Sequence, residues 1–154
     1  MKRLLLVSHA PSPNTRQLRE AILRGARHPD VAASVEVVDR AAQEASADDI
    51  RACDAIILLM TENLASMSGG MKDFFDRNYY PVLEEKQGLP CAAVIRAGHD
   101  GTGTRRQLET ILTGLRWKNA REPLVLRGEW REEFLAQAEE LGLTIAASLD
   151  AGIL

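Results

Sequence analysis

The sequence predicts an α/β fold with a five-stranded parallel sheet and helices on both of its faces. The chain has 154 residues and contains five short runs of Val, Ile and Leu without strict alternation, which is typical of strands buried on both faces. The runs cover residues 4–7, 35–38, 55–60, 92–95 and 124–126. A stretch of helical period follows each run, and such alternation favours parallel strands joined by right-handed crossovers.

The predicted helices are marked by apolar residues at the spacing of one helix face. The residues that mark them are Leu18, Ala21, Ile22 and Gly25, then Met71, Phe74 and Phe75, then Leu108, Ile111, Leu112 and Leu115, and finally Phe134, Ala138 and Leu141. A shorter helix is predicted over residues 47–51, between the second and third strands. The length suits one domain, which we place over residues 1–154.

The composition excludes several classes of protein. The net charge is −3 and the basic residues form no stripe, so nucleic-acid binding is disfavoured. The apolar run at the N-terminus is too short for a signal peptide, and no segment is long enough to cross a bilayer. We therefore expect a cytoplasmic protein without a membrane or nucleic-acid partner. Cys53 and Cys91 lack metal-ligand or redox spacing, which predicts buried thiols and no metal site.

Ligands of open parallel sheets bind at the carboxyl ends of the strands, which directs attention to the loops 8–15, 61–70 and 97–104. The first loop, SHAPSPNT, opens a helix whose free N–H groups could bind phosphate, helped by Ser8, Ser12, Asn14 and Thr15. Helix capping by Ser12 or Asn14 explains the same residues. Both interpretations stay open. A nucleotide triphosphatase is disfavoured because the loop has no lysine and no G-x-x-x-x-G-K-[ST] pattern.

The second loop and its helix carry the most specific motif. Residues 69–77 read GGMKDFFDR and follow a strand, a Thr61-Glu62 turn and a small-residue loop. This pattern, with the Ser8 to Thr15 loop, resembles the flavodoxin-like family, especially its short NAD(P)H-dependent FMN reductases. The resemblance implies a three-layer sandwich with strand order 2-1-3-4-5 and one bound FMN. In it the first loop holds the phosphate, and the second and third loops line the isoalloxazine ring.

The FMN contacts that the resemblance implies lie in all three loops. They are Ser8, His9, Ser12, Asn14, Thr15, Thr61, Glu62, Asn63, Leu64, Met67, Ser68, Gly69, Ala97, Gly98, His99, Asp100 and Gly101. The second loop departs from the family in two ways: Glu62 replaces the usual proline, and no Trp or Tyr flanks the ring. Leu64 and Met67 would have to pack on the flavin instead, or else they merely cover the core.

The third loop has three glycines in six residues, which permits close approach of a ligand to the backbone. His99 could donate a hydrogen bond near N1 or C2=O of the flavin, or it is a solvated loop residue. Asp100 could disfavour the negative charge of reduced flavin, or it caps the next helix. Arg105 and Arg106 open that helix, facing either the phosphate of a nicotinamide cofactor or only solvent.

These features predict an FMN-binding oxidoreductase that passes hydride from NADH or NADPH to a quinone or another small acceptor. The flavin N5 carries the chemistry, so no catalytic side chain is predicted. The alternative is a flavodoxin-type electron carrier, which would usually be more acidic. A phospho-acceptor receiver domain is disfavoured because no cluster of carboxylates follows a strand. Trp117, Trp130, Tyr79 and Tyr80 could anchor a homodimer or simply complete the core.

Overall fold

The computed structural model describes all 154 residues. Its elements, in chain order, are β1 (Lys2–Ser8), α1 (Pro13–Ala26), β2 (Val35–Ala41), α2 (Ala47–Ala52), β3 (Ala55–Asn63), β4 (Ser66–Met67), α3 (Gly69–Val82), β5 (Pro90–Ala97), α4 (Thr102–Leu115), β6 (Lys118–Asn119), β7 (Leu124–Arg127) and α5 (Glu133–Asp150).

The sheet confirms the predicted fold class. Its order is β2-β1-β3-β5, with β6 and β7 both paired to the outer edge of β5, and these pairings are all parallel. The predicted number of five strands is wrong, because the structure has seven. The fifth position is divided between β6 and β7, and the segment between them contains Pro123, which has no N–H to donate to a ladder. The other addition, β4, is a two-residue antiparallel return beside β3.

The two faces of the sheet carry separate cores. One core packs under α1 and α5 and the other under α2, α3 and α4, with β1, β3 and β5 contributing alternate side chains to each. Helices α1 and α5 cross at two glycines. A Cβ on Gly25 would overlap the carbonyl oxygen of Glu139, and a Cβ on Gly142 would overlap that of Ile22. This crossing sets the position of α1, whose N-terminus lies at the carboxyl edge of the sheet.

Helix α3 also holds the loop that follows β2. Arg77 donates through Nη1 to the Ala45 carbonyl at 2.9 Å and through Nη2 to the Ala42 carbonyl at 2.6 Å, while its Nε donates to Asp73 at 2.8 Å. Arg77 therefore has the structural role that its helical spacing from Asp73 indicates.

No helix is both long and apolar enough to cross a bilayer. The cytoplasmic location stays a prediction.

Both cysteines are buried, as predicted. Burial raises the pKa of the Cys53 thiol from 9.0 to about 11, and burial also raises the pKa of Cys91. An unfolded thiol ionises above about pH 9, whereas the folded Cys53 resists ionisation until about pH 11. The stability that this shift contributes is thus complete below pH 9 and lost as pH rises toward 11.

Because the pKa of Cys53 is raised in the folded protein, we expect the free energy of unfolding to fall by roughly 2 kcal/mol between pH 9 and 11. Urea denaturation at pH 8, 9, 10 and 11 measures it. Cys53→Ala removes the group that titrates and should give a shallower decline than the parent protein. Equal slopes for the two proteins would contradict the prediction.

Candidate functional site

The loop between β1 and α1 ends in a capped helix N-terminus. Ser12 Oγ accepts a hydrogen bond from the Thr15 N–H at 3.2 Å, and the Ser12 N–H donates to Thr15 Oγ1 at 3.0 Å. Ser12 is thus the N-cap, and Thr15 is buried beside it. The N–H groups of Ala10 and Asn14 and the half-buried Asn14 amide have no acceptor within the chain. Ser12 is therefore the helix cap, and other donors of the same loop are left without a partner, as a phosphate site would need.

Two unpaired polar atoms lie at the first turn of α3. Ser8 is buried at the end of β1, and the next residue, His9, lies so close to Gly70 that a Cβ there would overlap the imidazole ring. His9 Nδ1 and Ser68 Oγ are buried without a hydrogen-bond partner. Burial lowers the pKa of His9, which favours the neutral ring. Buried polar groups normally find partners, and these two have none within the chain.

The second loop is a tight hairpin between β3 and β4. Leu64 and Ala65 form its two-residue turn with φ of 52° and 64°, a conformation that costs energy for residues other than Gly or Asn. Thr61 Oγ1 donates to Asn63 Oδ1 at 3.1 Å, and the Ser68 N–H donates to the Thr61 carbonyl.

The structure separates the two apolar residues of this loop. Leu64 is fully exposed at the tip, whereas Met67 is buried in the core beneath α3 and α4. Leu64 is therefore free to contact a ligand at the loop surface, and Met67 covers the core. Gly69 is exposed at the start of α3, and a Cβ there would meet nothing within 4 Å.

Glu62 joins the second loop to the third. Its Oε1 accepts a hydrogen bond from the Gly101 N–H at 3.2 Å, and its Oε2 accepts from the Thr104 N–H at 3.2 Å and the Thr104 hydroxyl at 3.0 Å. These donors belong to the N-terminus of α4, whose N-cap residue Gly101 has no side chain to satisfy them. Glu62, which lies in β3, therefore caps the N-terminus of α4.

The third loop is open on its outer side. Gly98, His99 and Asp100 are exposed, and a Cβ on Gly98 would meet nothing within 4 Å. Asp100 Oδ1 accepts a hydrogen bond from the Thr102 N–H at 3.0 Å, and this bond lowers the pKa of the Asp100 carboxyl. Gly101 adopts φ of 73°, which favours glycine, and Ala97 is buried beneath it.

Three residues that shape this edge were missed from the sequence. Thr104 and Gln107 hold the second loop, the latter by accepting the Met67 N–H at 2.7 Å. Arg96 donates to the carbonyls of Ala97 and Gly128, each at 2.7 Å, and lies over the rings of Trp130 and Phe134. The signal that could have indicated Arg96 was a charged residue directly after the apolar run at residues 92–95.

Of the two arginines that open α4, Arg105 pairs with Glu109 and Glu122, whereas Arg106 is exposed and has no carboxylate partner. Only Arg106 therefore keeps a guanidinium free for an anionic partner.

A cavity of about 610 Å³ lies at the opposite edge of the sheet. It is lined by Met1, Lys2, Ala33, Ser34, Asp54 and Asp150. We place the candidate site at the carboxyl edge nevertheless, because the unpaired donors and the open glycines lie there, and because parallel sheets bind ligands at that edge.

The residues at the carboxyl edge fit FMN. The unpaired N–H groups and Asn14 amide at α1 suit a phosphate, and the open backbone at Gly69 and Gly98 leaves room for a planar ring. The buried atoms His9 Nδ1 and Ser68 Oγ are further polar atoms at this edge without a partner in the chain.

The fold and this donor-lined edge define a flavodoxin-like protein. Residues 15–132 match the family model described as NADPH-dependent FMN reductase. The chain belongs to that family, and by class it is an FMN-binding oxidoreductase. No curated protein sequence matches the chain.

Three solved structures are similar to this chain along nearly their whole lengths. A flavodoxin from the domain Archaea has 20% sequence identity and a TM-score of 0.79, covering 96% of this chain and 98% of that one. A flavodoxin, WrbA-like protein from Agrobacterium tumefaciens has 17% identity and a TM-score of 0.77, with complete coverage of both chains. Flavodoxin 1 from Bacillus cereus has 17% identity and a TM-score of 0.74, covering 92% of this chain and 95% of that one. At these identities the likeness shows the fold alone.

Proposed function

We propose that this protein binds one FMN at the carboxyl edge of its sheet and uses it to pass hydride from NADH or NADPH to a quinone or another small acceptor. The observation that carries the proposal is the family match over residues 15–132, which includes all of the second and third loops. The unpaired donors at the N-terminus of α1 support it independently.

The residues have distinct tasks in this proposal. Asn14 and the first turn of α1 hold the phosphate, with Ser12 and Thr15 fixing the shape of that turn. The hairpin 61–68 and the loop 97–101 contact the ring. FMN supplies the redox chemistry when bound, and the chain binds and orients it without an acid–base side chain. The exposed outer side of the third loop leaves access for a second substrate.

The alternative function is electron transfer between proteins, and the similarity to flavodoxins of nearly equal length supports this alternative.

A homodimer remains a prediction as well. Of the four aromatic residues considered for it, Tyr80 is exposed, while Trp117 is buried.

The test is to purify the protein, add FMN and record the flavin absorbance and fluorescence of the bound fraction. NADH and NADPH oxidation is then followed with and without a soluble quinone. We expect a yellow protein that oxidises at least one nicotinamide cofactor faster when the quinone is present. A colourless protein that ignores added FMN would overturn the proposal. Tight FMN binding without nicotinamide oxidation would establish the carrier instead.

A further inference from the structure

Glu62 places a negative charge between the second and third loops. The side chain is half-buried, and its two oxygens accept all three of its hydrogen bonds from Gly101 and Thr104. No Lys or Arg forms an ion pair with it, although the chain has many such pairs elsewhere. The partial positive charge of the α4 N-terminus favours this carboxylate.

Two further contacts fix the hairpin on α4. A Cβ on Gly103 would overlap the Ala65 carbonyl oxygen, so the turn of the hairpin rests directly on the first turn of α4. The Gln107 side chain binds the Met67 N–H one turn further along the helix. The second and third loops are thereby one unit, and Glu62 is at its centre.

The contacts of Glu62 have two electrostatic consequences at the proposed site. The N–H groups of Gly101 and Thr104 are already occupied, so they cannot donate to a ligand. The carboxylate itself repels any negative charge that develops on a group between the two loops. Reduction of FMN by two electrons and one proton leaves such a charge on the ring.

We propose that Glu62 is a positioning residue that lowers the reduction potential of FMN in this protein, because it withholds the α4 donors from the reduced ring and keeps a carboxylate beside it. The inference rests on the proposed FMN site. By linkage, a lower potential means a lower ratio of the affinity for reduced FMN to the affinity for oxidised FMN.

The experiment measures the midpoint potential of bound FMN by dithionite titration against a reference dye, together with the dissociation constant of oxidised FMN. Glu62→Gln keeps the shape of the side chain and removes its charge. We expect the affinity ratio of reduced to oxidised FMN to rise about tenfold, a positive shift of about 30 mV for a two-electron couple. Glu62→Ala should shift the potential at least as far. Glu62→Asp keeps the charge and should stay close to the parent value.

Glu44→Gln is the matched control. Glu44 is an exposed acidic residue in the loop after β2, also at the carboxyl edge, and its side chain makes no hydrogen bond. This substitution changes the net charge equally and should leave the potential unchanged.

An unchanged potential in Glu62→Gln and Glu62→Ala, with FMN bound, would overturn the inference and leave the proposed function standing. A shift of equal size in Glu44→Gln would also overturn it. Loss of oxidised-FMN binding in both Glu62→Gln and Glu62→Ala would contradict it too, since we expect that affinity to change by less than about threefold. Failure of the parent protein to bind FMN would overturn both proposals.

Discussion

Gly25→Ala is expected to lower the free energy of unfolding by about 2 kcal/mol, within the range of about 1–3 kcal/mol that is usual for overpacking a close contact. The new methyl group would overlap the Glu139 carbonyl oxygen and lie 2.8 Å from the Leu143 nitrogen, both on the backbone of α5. Backbone atoms cannot rotate away as a side chain can, so α1 and α5 must separate. The gain in helix propensity of about 1 kcal/mol offsets only part of this cost.

Urea denaturation followed by circular dichroism measures the effect. Gly69→Ala is the matched control, because it also adds one methyl group to a helix but meets nothing within 4 Å. Its stability should stay within about 0.5 kcal/mol of the parent. Equal stability of Gly25→Ala and Gly69→Ala would contradict the prediction, because it would show that the crossing of α1 and α5 tolerates a methyl group. Gly142→Ala should resemble Gly25→Ala, and the double variant should lose less than the sum, since the same helix separation relieves both overlaps.

The large elements of the fold could be predicted because burial leaves a periodic record in the sequence. A parallel strand covered on both faces must be apolar throughout, and the run at residues 55–60 is buried completely in β3. The strand count could not be predicted, because β4 and β6 have two residues each and no pattern of their own. The turn at Leu64 and Ala65 also lacks the Asn or Gly that usually indicates a left-handed hairpin turn.

The candidate site could be located but its internal contacts could not be predicted. Three polar loops at strand ends mark the edge of the sheet, because topology brings those ends together. The contacts between loops depend on pairs distant in sequence, such as Glu62 with Gly101 and Thr104. Nothing in the local sequence shows that Glu62 faces the α4 N-terminus instead of solvent. The departure from the family's proline was the one visible sign that this position is unusual.

Asn14→Ala is expected to raise the FMN dissociation constant about tenfold or more, since one hydrogen bond to a charged phosphate contributes roughly 1.5–3 kcal/mol. Because the Asn14 side chain has no partner within the chain, its loss should change stability by less than about 0.5 kcal/mol. Thr15→Ala differs, since it also breaks the capping box with Ser12. It should cost about 1 kcal/mol of stability in addition to weakening FMN binding.

Ser46→Ala is the control that distinguishes loss of a helix cap from loss of a contact with FMN. Ser46 forms the same type of capping box with Asp49 at α2, outside the three candidate loops. It should lose about 1 kcal/mol of stability with no change in FMN affinity. Quenching of FMN fluorescence measures the dissociation constants, and urea denaturation measures stability. If Thr15→Ala behaves like Ser46→Ala and Asn14→Ala binds FMN normally, the first loop is a helix cap alone. Weak FMN binding by a stable Asn14→Ala would instead establish it as the phosphate site, because only the ligand contact has then been removed.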